Sequence, residues 1–262
     1  MTGAASGIGR AVAKRLGGLG ATVCAADVNE AGAKQTAALI SGDGGNGYAA
    51  RLDVTKSAEI QRLIDDVAKR HGRLDYMFNN AGIAIVGETR DMTDDHWKRI
   101  IDVNLMGVLA GTLAAYRIMV KQGFGHIVNT ASLAGLLPVP SETAYCLTKY
   151  AVVGLSTSLR GEGAGLGVKV SVVCPGFVRT PIMDNYTAIK LNRADLAAEA
   201  PKRMTDVDKA AGIILSGVAK NRAIIPVGPD AHIAWRLYKV WPGLVEFFGR
   251  RGMVFMRSIR KE

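Results

Sequence analysis

Residues 1–10, "MTGAASGIGR", decide how this chain is read. Positions 3 to 9 run Gly-x-x-x-Gly-x-Gly, and Val12, Ala13 and Leu16 follow at helical spacing. A glycine turn that opens a helix gathers free backbone N–H groups at the positive end of the helix dipole, which cradles a phosphate. Such a turn follows a buried strand, yet only Met1 and Thr2 precede it here. In a doubly wound sheet that first strand is central. Leaving its neighbours unpaired in the core costs about 1–3 kcal/mol per buried unsatisfied group. The expectation is that the natural polypeptide begins several residues before Met1, with an apolar β-branched segment.

The rest of the chain keeps the rhythm that such a turn requires. Apolar strand-like runs at 21–27, 47–53, 74–82, 125–132, 168–176 and 222–228 alternate with helical patterns at 31–40, 57–72, 94–120, 141–163 and 205–220. This predicts an α/β fold, a Rossmann-like doubly wound parallel sheet with helices on both faces and ligands at the strand C-termini. With 262 residues, 48% of them hydrophobic, there is ample material for a core. No linker or low-complexity run divides the chain, so the reading is one domain over 1–230 with an extension over 231–262. No apolar run approaches the ~20 residues of a bilayer-spanning helix, and residue 2 already belongs to a motif rather than a signal peptide. Cys24, Cys146 and Cys174 are odd in number and far apart, which reads as reduced thiols in a cytoplasmic protein. The four histidines have no metal-ligand spacing, and no metal site is expected.

Chemistry concentrates in "SETAYCLTKY" (141–150). Tyr145 and Lys149 are four apart on one helix and share a face. A nearby ammonium favours the phenolate, so the expectation is a tyrosine with a lowered pKa that exchanges a proton with an alcohol near neutral pH. Ser132, at the end of the preceding strand, can donate to a developing oxyanion. Asp27 ends a strand about 20 residues past the glycine turn, where an acid accepts from adenosine ribose hydroxyls and repels a 2′-phosphate. The turn carries Ser6, and Val28 and Asn29 follow Asp27, so NAD(H) is favoured over NADP(H).

Together these segments make the chain resemble the short-chain dehydrogenase/reductase family from Thr2 to about Gly228. "TGAASGIG" matches its cofactor turn, which puts Gly3, Ser6, Gly7, Ile8 and Gly9 against the cofactor. "NNAG" (79–82) matches its strand end, with Asn80, Ala81 and Gly82 as cofactor contacts. "PGFVRT" (175–180) matches the turn whose Pro175, Gly176, Val178 and Thr180 meet the nicotinamide carboxamide, and Asp53 and Val54 match the adenine contacts. Asn104, Ser132, Tyr145 and Lys149 match the catalytic tetrad. The resemblance implies Tyr145 as acid/base, Lys149 as its tuner and ribose holder, Ser132 as polariser of the substrate oxygen, and Asn104 as holder of a proton-relaying water. It also implies a tetramer or dimer built through the two long helices. Cys146 reads as packing.

"LAGLLPVP" (133–140) and the family's lid segment, here 181–204 with Ile182, Met183, Tyr186 and Ile189, are apolar. They suggest a hydrophobic secondary alcohol or ketone. A 3-oxoacyl thioester is the alternative substrate, and an idle NAD-binding scaffold the alternative class. The net charge is +10, and the C-terminal extension concentrates it: Arg236, Lys239, Arg250, Arg251, Arg257, Arg260 and Lys261 face only Glu246 and Glu262. Ile233, Leu237, Val240 and Leu244 form an apolar stripe interrupted by Pro242 and Gly243, which predicts two short amphipathic helices. They would cover the substrate mouth, a neighbouring subunit or a membrane surface. Nucleic acid is not expected, because no recognition motif accompanies the charge.

Overall fold

The computed structural model describes residues 1–198, 201 and 203–260. In chain order its elements are α1 (Gly7–Gly18), β1 (Thr22–Asp27), α2 (Glu30–Gly42), β2 (Asn46–Arg51), α3 (Ser57–His71), β3 (Tyr76–Asn79) and β4 (Ile85–Val86). There follow α4 (Asp94–Ile101), α5 (Gly107–Gln122), β5 (Gly125–Thr130), α6 (Thr143–Gly163), β6 (Val168–Pro175), α7 (Ile182–Asn185), β7 (Thr187–Ala188) and α8 (Arg193–Ala198). The chain closes with α9 (Val207–Ala219), β8 (Ile224–Val227), α10 (Pro229–Val240) and α11 (Pro242–Ser258). Local chemistry sets the boundaries. Asn29 caps α2 by accepting from the Gly32 N–H, Thr93 and His96 form a reciprocal capping box on α4, and Asp206 caps α9. Gly72 and Gly123 end α3 and α5 in the left-handed conformation.

All ladders are parallel. One sheet runs β3–β5–β6–β8, a second pairs β1 with β2, and β4 with β7 form a small third. Alternate residues of the central strands serve opposite layers. Ile127 and Val170 pack with Ile60, Ile64, Ala115 and Met119 of α3 and α5, whereas Val128 and Val173 pack with Val12, Ala211 and Ile214 of α1 and α9. Met1 and Thr2 lie between the two larger sheets. The Ala26 N–H donates to Met1 O (2.9 Å) and Ala4 N–H to Ala26 O (3.2 Å), while Thr2 N–H donates to Phe78 O (3.0 Å). These two residues occupy the central place expected of a first strand, and the glycine turn leaves the sheet from there.

Two expectations are corrected. The helix predicted over 94–120 is interrupted by a π turn at Asp102–Met106, with α4 before it and α5 after it. Taken as one stretch, Asp94–Gln122 is also long and apolar enough to cross a bilayer by length and composition, contrary to the sequence reading. Its Ile100, Val108, Ala114, Ala115 and Met119 are instead buried in the protein core. The two C-terminal helices form as expected. α10 docks through buried Ala231 and half-buried Trp235, which packs with Val152 and Val172.

Candidate active site

The glycine turn is built by close approach. Gly3 and Gly7 have φ of +64° and +52°, and a Cβ on Gly9 would lie 2.0 Å from Gly3 O. Thr2 ties this turn to the end of β3: its Oγ1 accepts from the Asn80 and Ala81 N–H groups at 3.0 and 3.1 Å. The Asn80 amide donates in return to Thr2 O and Gly3 O. Ser6 caps α1 without a side-chain bond, so the first-turn N–H groups, starting with Gly7 and Ile8, face outward over the strand ends. Asp27 closes one side, with its two oxygens accepting from Ala5 N and Asn29 N, both at 2.9 Å. Each oxygen keeps a lone pair for a further donor. Asn29, rather than Asp27, caps α2.

On the other side, the segment after β6 comes back over the turn. A Cβ on Gly7 would lie 3.2 Å from Thr180 Cβ, which brings the two ends of the predicted cofactor set together. Gly176 has no room for a side chain beside Asp230, whose Oδ2 accepts from Phe177 N at 2.6 Å, and Val178 is buried with a bridge to Thr205. Asp53 and Val54 lie in the turn after β2. The Asp53 carboxylate accepts from the Thr55 N–H and hydroxyl, and Val54 packs on Gly107.

Lys149 is 3% exposed, and its Nζ donates to Thr130 O at 3.0 Å and lies 5.4 Å from the Tyr145 ring centroid. A Cβ on Gly82 would lie 3.5 Å from that Nζ and 3.3 Å from Asn104 Oδ1. Gly82, Asn104, Tyr145 and Lys149 therefore converge. The Asn104 side chain brackets the backbone of Ile83: Oδ1 accepts from Ile83 N (2.8 Å) and Nδ2 donates to Ile83 O (2.9 Å), with a second bond from Nδ2 to Thr148 Oγ1 (3.4 Å). Its amide fixes the backbone beyond β3. Ser132 is extended (φ −167°), and its Oγ accepts from Ala134 N at 3.2 Å.

The electrostatics differ from expectation. Burial pushes the Tyr145 hydroxyl above the ordinary phenol value, Glu142 adds to that rise, and a hydrogen bond with Ser132 opposes it. Burial also brings Lys149 down to about 8. Desolvation of this pair outweighs the lowering expected from an adjacent ammonium. Glu142, at the N-terminus of α6, is held up to about 7 by burial and makes no ion pair with a described residue.

Tyr145 packs against an apolar cluster of Ile85, Ile100, Ala144 and Ile189, with Ile83, Met92 and Trp97 beside it. Ile189 of the expected lid is buried there, while Ile182, Met183 and Tyr186 are half-buried. Residues 199, 200 and 202 of that lid lie outside the described residues. Sequence reading missed Thr2 as the knot between turn and strand. It also missed a buried network in which Asn79 donates to Thr112 and Asn129, and Asn129 donates to Ser156. The repeated asparagine in "NNAG" carried that signal without its partners.

A glycine cradle at the centre of a parallel sheet, beside a buried lysine and a half-buried tyrosine with a serine in reach, defines a dinucleotide-binding α/β oxidoreductase scaffold. The family described as short chain dehydrogenase matches residues 1–190, and the chain belongs to that family. "Probable oxidoreductase EphD" of Mycobacterium tuberculosis is 35% identical over 252 residues, covering 92% of this chain. The chain spans only 43% of that relative's length. The 3-oxoacyl-[acyl-carrier-protein] reductase FabG of Haemophilus influenzae is 34% identical, over 91% of this chain and 96% of its own. A short chain dehydrogenase/reductase from Burkholderia phymatum, crystallised in complex with NAD, superposes with a TM-score of 0.83 at 32% identity, over 93% of each chain.

Proposed function

We propose that the chain is an NAD(H)-dependent oxidoreductase that interconverts a hydrophobic secondary alcohol and its ketone. The observation that carries this reading is the convergence of Ser132, Tyr145 and Lys149 beside the glycine cradle, with the apolar Ile85–Ile100–Ile189 cluster packed on Tyr145. A bound nicotinamide would supply or accept the hydride. The chain's own residues handle the proton and the geometry. The Tyr145 phenolate takes the proton from the alcohol during oxidation, and the Tyr145 hydroxyl gives it to the ketone oxygen during reduction. Ser132 donates to the same oxygen and holds it in place. Lys149 holds the ribose hydroxyls and stabilises the phenolate as it forms. Asn104 fixes the Gly82–Ile83 backbone against which the reacting ring would rest. Gly3, Ser6, Gly7, Ile8 and Gly9 hold the pyrophosphate, and Asp27 the adenosine ribose. Asn80, Ala81, Gly82, Pro175, Gly176, Val178 and Thr180 line the nicotinamide side, with Asp53 and Val54 at the adenine.

Residues 1–230 form the catalytic unit, with 181–204 as its lid and 231–262 as an added cover. Met106, Leu113, Leu147 and Tyr150 are exposed around α5 and α6, which supports a homo-oligomer formed through those helices. Similarity to the Haemophilus reductase favours a 3-oxoacyl thioester as the second reading. A turnover screen of alcohols, ketones and acyl thioesters with both cofactors decides between them. Tyr145→Phe tests the mechanism: turnover falls roughly 10²–10⁴-fold, the usual contribution of a positioned acid/base, while cofactor binding persists by fluorescence titration. Near-normal kcat in that variant would overturn the assignment.

A further inference from the structure

We propose that the outer face of α10 and α11 is a docking surface for an anionic phospholipid bilayer, set beside the segments that flank the Tyr145 cluster. The surface stands on its own geometry; its link to substrate supply rests on the reading of an apolar alcohol or ketone given above.

The inner face of α11 is clasped to segments that flank the Tyr145 cluster. Arg257 pairs with Glu88 (3.3 Å) and Arg260 with Asp91 (2.7 Å), just past β4. Asn192 N donates to Ile259 O at 3.3 Å, and a Cβ on Gly249 would lie 3.1 Å from the Pro140 ring. The helix and the residues just past it thus touch the loop after Ser132, the segment after β4, and the middle of the lid.

Its outer face is apolar and cationic. Phe247, Arg251 and Val254 fall in one row at four- and three-residue steps, with Phe248 beside them. Ile233, Leu237 and Val240 form a matching row on α10 that ends at Trp241. Val240, Val254 and Trp241 are 84%, 71% and 64% exposed. Of the eighteen large apolar side chains exposed among the described residues, seven lie between 233 and 254, so the patch is concentrated. Between 231 and 260 the only acid is Glu246. Arg236, Lys239, Arg250 and Arg251 make no ion pair with a described residue. The Lys239 ammonium lies 3.8 Å from the Trp235 ring centroid, and the Arg251 guanidinium 5.2 Å from that of Phe247.

Charge selects the occupant. A second copy docked on this face by a two-fold axis would set the same four cations against themselves, which like-charge repulsion opposes. An anionic bilayer accepts both features, with headgroups meeting the cations and the acyl boundary meeting the phenylalanine, valine and tryptophan side chains.

The test uses the purified 262-residue chain and flotation with vesicles of phosphatidylcholine containing phosphatidylglycerol, or of phosphatidylcholine alone. The expected result is flotation on the anionic vesicles only, weakened by high salt. The double variant Arg250→Glu/Arg251→Glu should lose binding by roughly thirtyfold or more, on the scale expected for removal of two surface cations. Phe247→Ser/Phe248→Ser should also release it, and both variants should keep wild-type melting curves and turnover of a water-soluble alcohol. A protein that stays in the soluble fraction at low salt overturns the proposal, as do variants that float like the wild type. A shift in oligomer mass caused by either variant also overturns it and assigns the face to a second copy. Flotation needs no turnover, so an inactive protein that floats would defeat the enzymatic reading and leave the surface standing.

Discussion

The Lys149 ammonium reaches past the Tyr145 ring, 5.4 Å from its centroid, to donate to the Thr130 carbonyl at 3.0 Å. The cation is anchored on the sheet and lies over the phenol ring, in surroundings that disfavour charge on either group. Burial lowers Lys149 from the ordinary 10.5 to about 8. Between those values the unfolded chain binds more protons, so the folded state gains stability as pH rises through that window and bears the full cost below it. Lys149→Met removes the cost. Its melting temperature relative to wild type should be highest near pH 7 and decline from about pH 8 toward 10.5, while turnover is lost. A pH-independent difference in calorimetry would contradict this.

Glu142 works in the opposite sense. Its carboxyl is held up from 4.5 to about 7, so the fold keeps a proton that the unfolded chain has released, and stability falls as pH rises through that window. The advantage of Glu142→Gln in melting temperature should grow between pH 5 and 7.5 and then level off. Because Glu142 raises Tyr145, the same variant should shift the rising limb of the oxidation rate to lower pH.

Asp27 has a lone pair left on each oxygen after accepting from Ala5 and Asn29. The wild type should prefer NAD(H) in kcat/KM, and Asp27→Ala should narrow the gap by roughly tenfold, which corresponds to about 1.4 kcal/mol. Steady-state kinetics with both cofactors check this, and a wild-type preference for NADP(H) would refute it. Arg10, the cation nearest in sequence to the glycine turn, is already held by Ala5 O, Gln35 and Thr36.

Two glycines near the same lysine should respond differently to alanine. At Gly135 a Cβ would lie 2.6 Å from the Lys149 carbonyl oxygen, so Gly135→Ala must displace backbone in the site. It should cost about 1–3 kcal/mol of stability and lower kcat. At Gly154, inside α6, a Cβ meets nothing within 4 Å, and Gly154→Ala should gain up to about 1 kcal/mol with activity unchanged. Denaturant melts and initial rates measure both.

What the sequence displays best is what lies close along the chain. The glycine turn, the Tyr145–Lys149 step and Ser132 at a strand end are short-range patterns whose spacing carries their meaning. The break at Asp102–Met106 was hidden, because its apolar periodicity continues across the π turn. The Asn79–Asn129 bond and the Arg257 and Arg260 clasps join residues 50 and 169 positions apart, and no local pattern pairs them. The direction of the Tyr145 shift was misread because composition shows the neighbouring cation but not the depth of burial.

The Asn104 amide meets the backbone of Ile83 with one acceptor and one donor, the same pair of bonds that an adjoining strand would offer. A single side chain here impersonates a strand. The chain can leave the sheet after β3 without orphaning either group, and the irregular turn that interrupts the long helix is where the impersonator sits. Two lattices, one helical and one pleated, break at the same spot.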